Sequence, residues 1–134
     1  MKARLIVPAL FILATLFFYA FKPFQTVTGG PHGGTLKQVE NYHIELKKVN
    51  SSIYTYLLDP KLKPISNKEM SCTIKFFLPD SATMDVAMKP SGADGFISES
   101  NAFAYQSCKV IFKMPERSIS AIFENENIIV NINK

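Results

Sequence analysis

The chain has 134 residues, 47% of them hydrophobic and 19% charged, a composition that excludes wholesale disorder and allows one domain. Fifteen Lys and Arg against eleven Asp and Glu give a formal net charge of +4, but Lys2, Arg4 and Lys22 bracket an apolar run and no acid precedes Glu40. With those three set aside, twelve bases face eleven acids, too even a balance to attract a polyanion, so no nucleic-acid partner is expected.

Residues 5–21 carry no charge and are rich in Leu, Ile and Phe. As a helix they would span about 26 Å, at the short limit for a membrane crossing. The run is apolar on every side, which disfavours a surface helix of a globular core. Two bases before it and one after it favour a cytoplasmic N-terminus with the remainder outside. Residues 1–21 therefore read as one hydrophobic helix, either an uncleaved signal-anchor or a signal peptide removed on export. Bulky Phe18, two residues before Ala20, makes a poor cleavage site, and no Cys follows the run for lipid attachment.

Residues 22–34 hold four of the six glycines and two of the eight prolines and read as a flexible tether ending in a turn. The folded unit is expected over residues 35–134. In Tyr42-His43-Ile44-Glu45-Leu46 the apolar residues alternate with polar ones, which predicts a half-buried strand. Residues 53–58 are β-branched and aromatic until Asp59-Pro60 stops them. Residues 70–78 and 83–89 follow the same period of two, and both end at a proline turn. A short segment at Phe96-Ile97 precedes a strand over 105–114, and residues 118–123 and 127–133 flank Glu124-Asn125-Glu126 as in a terminal hairpin. Seven or eight short strands with no amphipathic helix predict an all-β chain, an antiparallel β-sandwich.

Cys72 and Cys108 fall on the apolar faces of long strands. Outside the cytoplasm an even pair reads as a disulfide; two free buried thiols, or a soft-metal thiolate pair, are the other readings. Material for catalysis is sparse. The chain has two histidines and no GxSxG, HExxH or P-loop word, and its Gly-rich stretch lacks the flanking strand and helix of a phosphate cradle. No enzyme activity is expected.

A metal is the more specific chemical possibility. His43 and Glu45 point to the same side of one strand, and His32 lies on the segment just upstream, where it could swing over them. Two imidazoles and a carboxylate suit zinc or copper. The plainer reading makes His43 and Glu45 residues of a solvated sheet face and His32 a turn residue. Met84, Met88 and Met114 could offer thioethers to copper, but Met84 and Met88 alternate with polar residues as core side chains do. Tyr54 and Tyr56 share one strand face, which is either covered within a sandwich or open to a partner.

The words Pro31-His32-Gly33-Gly34-Thr35-Leu36, Tyr42-His43-Ile44-Glu45-Leu46, and Tyr56-Leu57-Leu58-Asp59 with Lys63-Pro64-Ile65 resemble a small β-sandwich domain. That domain occurs in periplasmic adaptor (membrane-fusion) subunits of heavy-metal RND efflux systems and in short stand-alone periplasmic proteins. The resemblance covers roughly residues 30–125, with recognisable words in its first third. It implies an immunoglobulin-like sandwich and a setting in envelope metal homeostasis. The chain has no room for the helical hairpin, lipoyl-like domain or β-barrel of a complete adaptor, and it lacks methionine-rich metal-binding words. The expected protein is thus a non-enzymatic periplasmic accessory or binding module, linked to transition-metal homeostasis or efflux. Its expected partners are the membrane, through the N-terminal helix, and envelope efflux components. The alternative is a structural or protein-interaction sandwich without a metal role.

Overall fold

Alternation of buried and half-exposed side chains decides most of the architecture. In the computed structural model, which describes residues 29–98 and 104–131, ten strands form two sheets. They are β1 (Thr35–Val39), β2 (Tyr42–Val49), β3 (Ser52–Leu58), β4 (Ser71–Phe77), β5 (Thr83–Ala87), β6 (Lys89–Ser91), β7 (Gly95–Ser98), β8 (Ser107–Lys113), β9 (Ser118–Glu124) and β10 (Val130–Asn131). One sheet runs β1-β2-β3-β7-β6 and the other β5-β4-β8-β9, both antiparallel along these paths. The expected all-β chain of two packed antiparallel sheets is what the fold shows. The expected N-terminal helix and residues 22–28 of the tether lie outside the described residues.

The core sits between the sheets. Ile44, Leu46, Ile53, Leu57 and Phe96 of the first sheet meet Ile74, Phe76, Val110, Phe112 and Phe123 of the second, all essentially inaccessible to water. Phe96 and Phe112 meet edge to face across the layer, with ring centroids 5.9 Å apart. On one side the sandwich is stitched by edge residues. Lys37 points inward, donates to the Ile122 carbonyl and lies over the Phe123 ring, while Thr35 Oγ1 donates to the Asn127 carbonyl and accepts from the Ile129 N–H. On the other side a single edge strand changes sheets. β5 pairs with β4, Met88 N–H donates to the Cys72 carbonyl, and the chain continues as β6 against β7.

Four expectations are corrected. The disulfide between Cys72 and Cys108 does not form; both thiols are free and buried. They lie on paired strands β4 and β8, but the register sets Cys72 opposite Phe112 and Cys108 opposite Phe76. That four-residue offset, about 13 Å at 3.3 Å per residue, is beyond disulfide reach. Burial pushes both thiols up to about 12. Met84 is 37% exposed, because β5 is an edge strand; only Met88, at the sheet switch, is core, where Cys72, Met88 and Thr55 make a small polar cluster. The C-terminal hairpin is replaced by a crossing: after β9 a 3-10 turn at Asn125–Asn127 carries the chain to the first sheet, where β10 pairs in parallel with β2 at Lys48 and Val49. Finally, residues 29–34 belong to the folded unit, as the site shows.

Candidate functional site

Glycine lets the chain fold back on itself ahead of β1. Gly29 and Gly33 take positive φ values of 97° and 81°, which L side chains rarely adopt. The N–H groups of Gly29 and Gly30 both donate to the Gly34 carbonyl, at 3.1 and 2.9 Å, and Gly33 N–H donates to the Gly30 carbonyl at 2.8 Å. Gly30 and Gly34 are glycines for a different reason: a Cβ on Gly30 would stand 2.5 Å from the Glu45 carboxyl group, and one on Gly34 would stand 2.6 Å from the Leu46 carbonyl oxygen. The turn thus lies directly on the outer face of the first sheet, over Leu36 and Glu45.

Glu45 is the anchor of this contact. It sits mid-strand in β2 and is 0% exposed. A carboxylate removed from water needs several donors to hold it. Glu45 Oε2 accepts from the His32 and Gly34 N–H groups, each at 2.9 Å, and Oε1 lies 2.6 Å from His32 Nδ1. With Nδ1 donating to Oε1, the other ring nitrogen, Nε2, faces Asp94 Oδ2 at 3.8 Å. The imidazole lies flat on the Tyr56 ring, with centroids 3.6 Å apart and planes 4° from parallel. Tyr56 is the register partner of both Glu45 and Gly95, and a Cβ on Gly95 would come within 2.7 Å of the tyrosine ring. Burial, and after it the carboxylates of Glu45 and Asp94, hold the Tyr56 phenol above its ordinary value. Asn67, itself buried, donates to the Gly92 and Gly95 carbonyls at 3.1 and 2.9 Å and so fixes the β6–β7 turn that carries Asp94.

The sequence-predicted residues therefore separate. His32 and Glu45 come together, and His32 does swing over the sheet. His43 does not join them: it stands opposite Leu58 on β3, and its Nδ1 is buried with no hydrogen-bond partner. Among the described residues no group of three His, Cys, Asp or Glu side chains is arranged to hold a metal ion. A resident zinc or copper does not fit here, since the Glu45 oxygens are occupied by three donors and one His32 nitrogen is turned into that contact. In the sequence Tyr56 and Asp94 carry only a faint mark as partners of the histidine: glycines on both sides of His32, and at position 95, mark where backbone must approach side chains closely.

Elsewhere, an open groove of about 610 Å³ lies at the end of the sandwich where the β1–β2 hairpin turns, lined in part by Tyr42, Ile65, Met70 and Met114. No protein-family model matches the chain, and comparisons with curated proteins and with solved structures give no match.

Proposed function

We propose that the chain is a non-enzymatic accessory module of the bacterial envelope, an immunoglobulin-like sandwich tethered by its N-terminal segment to the periplasmic side of the inner membrane. The observation that carries this reading is the way the buried carboxylate is spent. Three donors of the turn that joins the tether to the sheet converge on the two Glu45 oxygens, fastening the chain where a pull from the tether would enter the domain. Both oxygens of this carboxylate are engaged by the turn and shut away from solvent, so neither is presented to an outside ligand.

The immunoglobulin-like reading is supported by strand order. β3, β7 and β6 stand as the B, E and D strands of that fold, β5-β4-β8-β9 stand as C′-C-F-G, and the edge strand crosses between sheets from C′ to D. The β1–β2 hairpin extends the first sheet where an A strand would lie. The setting in metal efflux rests on the resemblance of the His-Gly-Gly and strand words, without a metal-holding role for His32, His43 and Glu45. The module then acts by contact with other envelope components, not by ligating an ion.

Titration of Zn²⁺ and Cu²⁺ into the detergent-solubilised full chain tests the reading. No binding tighter than about 10 μM is expected. Tight binding that disappears in a His43→Ala variant would restore the metal centre and overturn the contact role.

A further inference from the structure

The outer face of the first sheet is only partly covered. The 29–34 turn occupies the row of Glu45, Tyr56 and Gly95, while the next row along the strands, Lys47, Tyr54, Ile97 and Lys89, is in register across β2, β3, β7 and β6. Directly paired residues point to the same side of a sheet, and the neighbours of these four, Leu46, Thr55 and Phe96, are buried in the core. The row therefore faces outward. Lys89 is exposed, and Lys47, Tyr54 and Ile97 are half-exposed.

We infer that this row is a docking strip for anionic phospholipid headgroups, which lays the first sheet against the membrane beside its own anchor. The inference rests on the anchored reading above. Three strand spacings separate the two lysines, about 14 Å, and between them lie a phenol and an aliphatic side chain. Positive ends flanking an amphipathic middle suit an interface whose anionic phosphates lie directly over apolar chains; Lys stems and Tyr rings both tolerate that boundary. The acids on this face do not cancel the lysines: Glu45 is buried and occupied, and Asp94, 35% exposed, sits beside His32. The equivalent outer row of the second sheet runs Asp85, Lys75, Lys109 and Ile122, so there an acid lies directly beside one of the two lysines, whereas none stands within the first sheet's row.

Geometry brings the strip to the lipid. The described chain begins at Gly29 on this same face, and seven residues, 22–28, separate it from the end of the apolar run. Fully extended they reach about 25 Å, so an anchor in the bilayer keeps the strip near the headgroups at high effective concentration. At physiological ionic strength charge acts over about 8 Å, which makes the contact one of close approach and sensitive to salt. The 610 Å³ groove at the β1–β2 hairpin end is lined by none of the four residues of the strip, so docking through the strip does not use it.

The test is lysine acylation footprinting of the full chain reconstituted in two kinds of vesicle, phosphatidylcholine alone and phosphatidylcholine with about one-third phosphatidylglycerol. Lys47 and Lys89 are expected to react at least about threefold more slowly in the anionic vesicles, with Lys75 and Lys109 unchanged. About 1 M salt, where the screening length falls to about 3 Å, should abolish the difference. In a Lys89→Glu variant, whose exposed site leaves the fold intact, Lys47 should react at the neutral-vesicle rate. Equal reactivity in both vesicles overturns the strip, as does protection that persists in phosphatidylcholine or in detergent, which would point to a protein contact. Flotation separates the two readings: a chain that floats with lipid without protecting its lysines refutes the strip alone, and one that does not float refutes the anchor and the strip together.

Discussion

Removing the Glu45 side chain should loosen the whole N-terminal turn. In Glu45→Ala the Gly34 N–H, in a buried contact, loses its acceptor, His32 loses two, and the sheet face beneath keeps a hole. An unsatisfied buried donor costs about 1–3 kcal/mol and a hydrogen bond to a charged group contributes about 1.5–3 kcal/mol. Because His32 N–H can recover a water, a net loss of about 3–5 kcal/mol follows. For a domain of roughly 100 residues this lowers the melting temperature by about 15–30 °C. Glu45→Gln should be much milder, at about 1–2 kcal/mol. Its amide oxygen can still accept from both N–H groups, and its NH₂ can donate to His32 Nδ1 once the imidazole proton has moved to Nε2, the side facing Asp94. Urea unfolding followed by tyrosine fluorescence suits a chain with five tyrosines and no tryptophan, and one of those tyrosines carries the His32 stack. A double-mutant cycle with His32→Ala should return a coupling of about 1–2 kcal/mol. Glu45→Ala within about 1 kcal/mol of the parent, or additive single effects, would refute the argument.

Gly30→Ala should destabilise by about 2 kcal/mol or more, since its Cβ would meet the Glu45 carboxyl at 2.5 Å; Gly33→Ala, strained at φ 81° with open space around it, should cost only about 1 kcal/mol. Chemical unfolding separates these two values. Native Cys72 and Cys108 should resist alkylation at neutral pH and both label after unfolding, with no change on prior reduction; a protein that labels only after reduction would contradict the free thiols. Their thiols stand at about 12 when folded, against an ordinary value of 9.0. Between those values the unfolded chain sheds protons that the native chain keeps, so stability is intact below pH 9 and falls as pH rises towards 12. At 1.36 kcal/mol per unit the loss reaches at most about 4 kcal/mol per thiol. Alkaline denaturation of Cys72→Ala should show a shallower decline than the parent, and an equally steep one would refute this assignment.

Local alternation made β2, β3, β4 and β8 legible, because one face of each carries the apolar side chains that pack into the core. It could not show position within a sheet. Met84 and Val86 alternate like core residues, yet they lie on an edge strand. Cys72 and Cys108 point inward as expected, but register four residues out of step is invisible without the pairing. β1 is not legible in the sequence, because Thr35-Leu36-Lys37-Gln38-Val39 alternates weakly, with Lys37 pointing inward to close the sandwich edge. The site was half legible. The period of β2 put Glu45 on the polar face and suggested solvent, whereas a glycine-rich turn covers that face and turns the carboxylate into a buried anchor. Composition read the same glycines as flexibility; their roles as positive-φ and close-approach positions appear only with the sheet beneath them.

Protease access in cells tests most directly the central claim, a sandwich fastened to a membrane anchor on the periplasmic side. In intact cells the full chain should resist added protease. In spheroplasts it should be cut from its membrane-associated stub, and without protease it should stay in the membrane pellet through an alkaline wash. A chain that stays protected in spheroplasts and appears only in the cytoplasmic fraction on lysis would contradict the account.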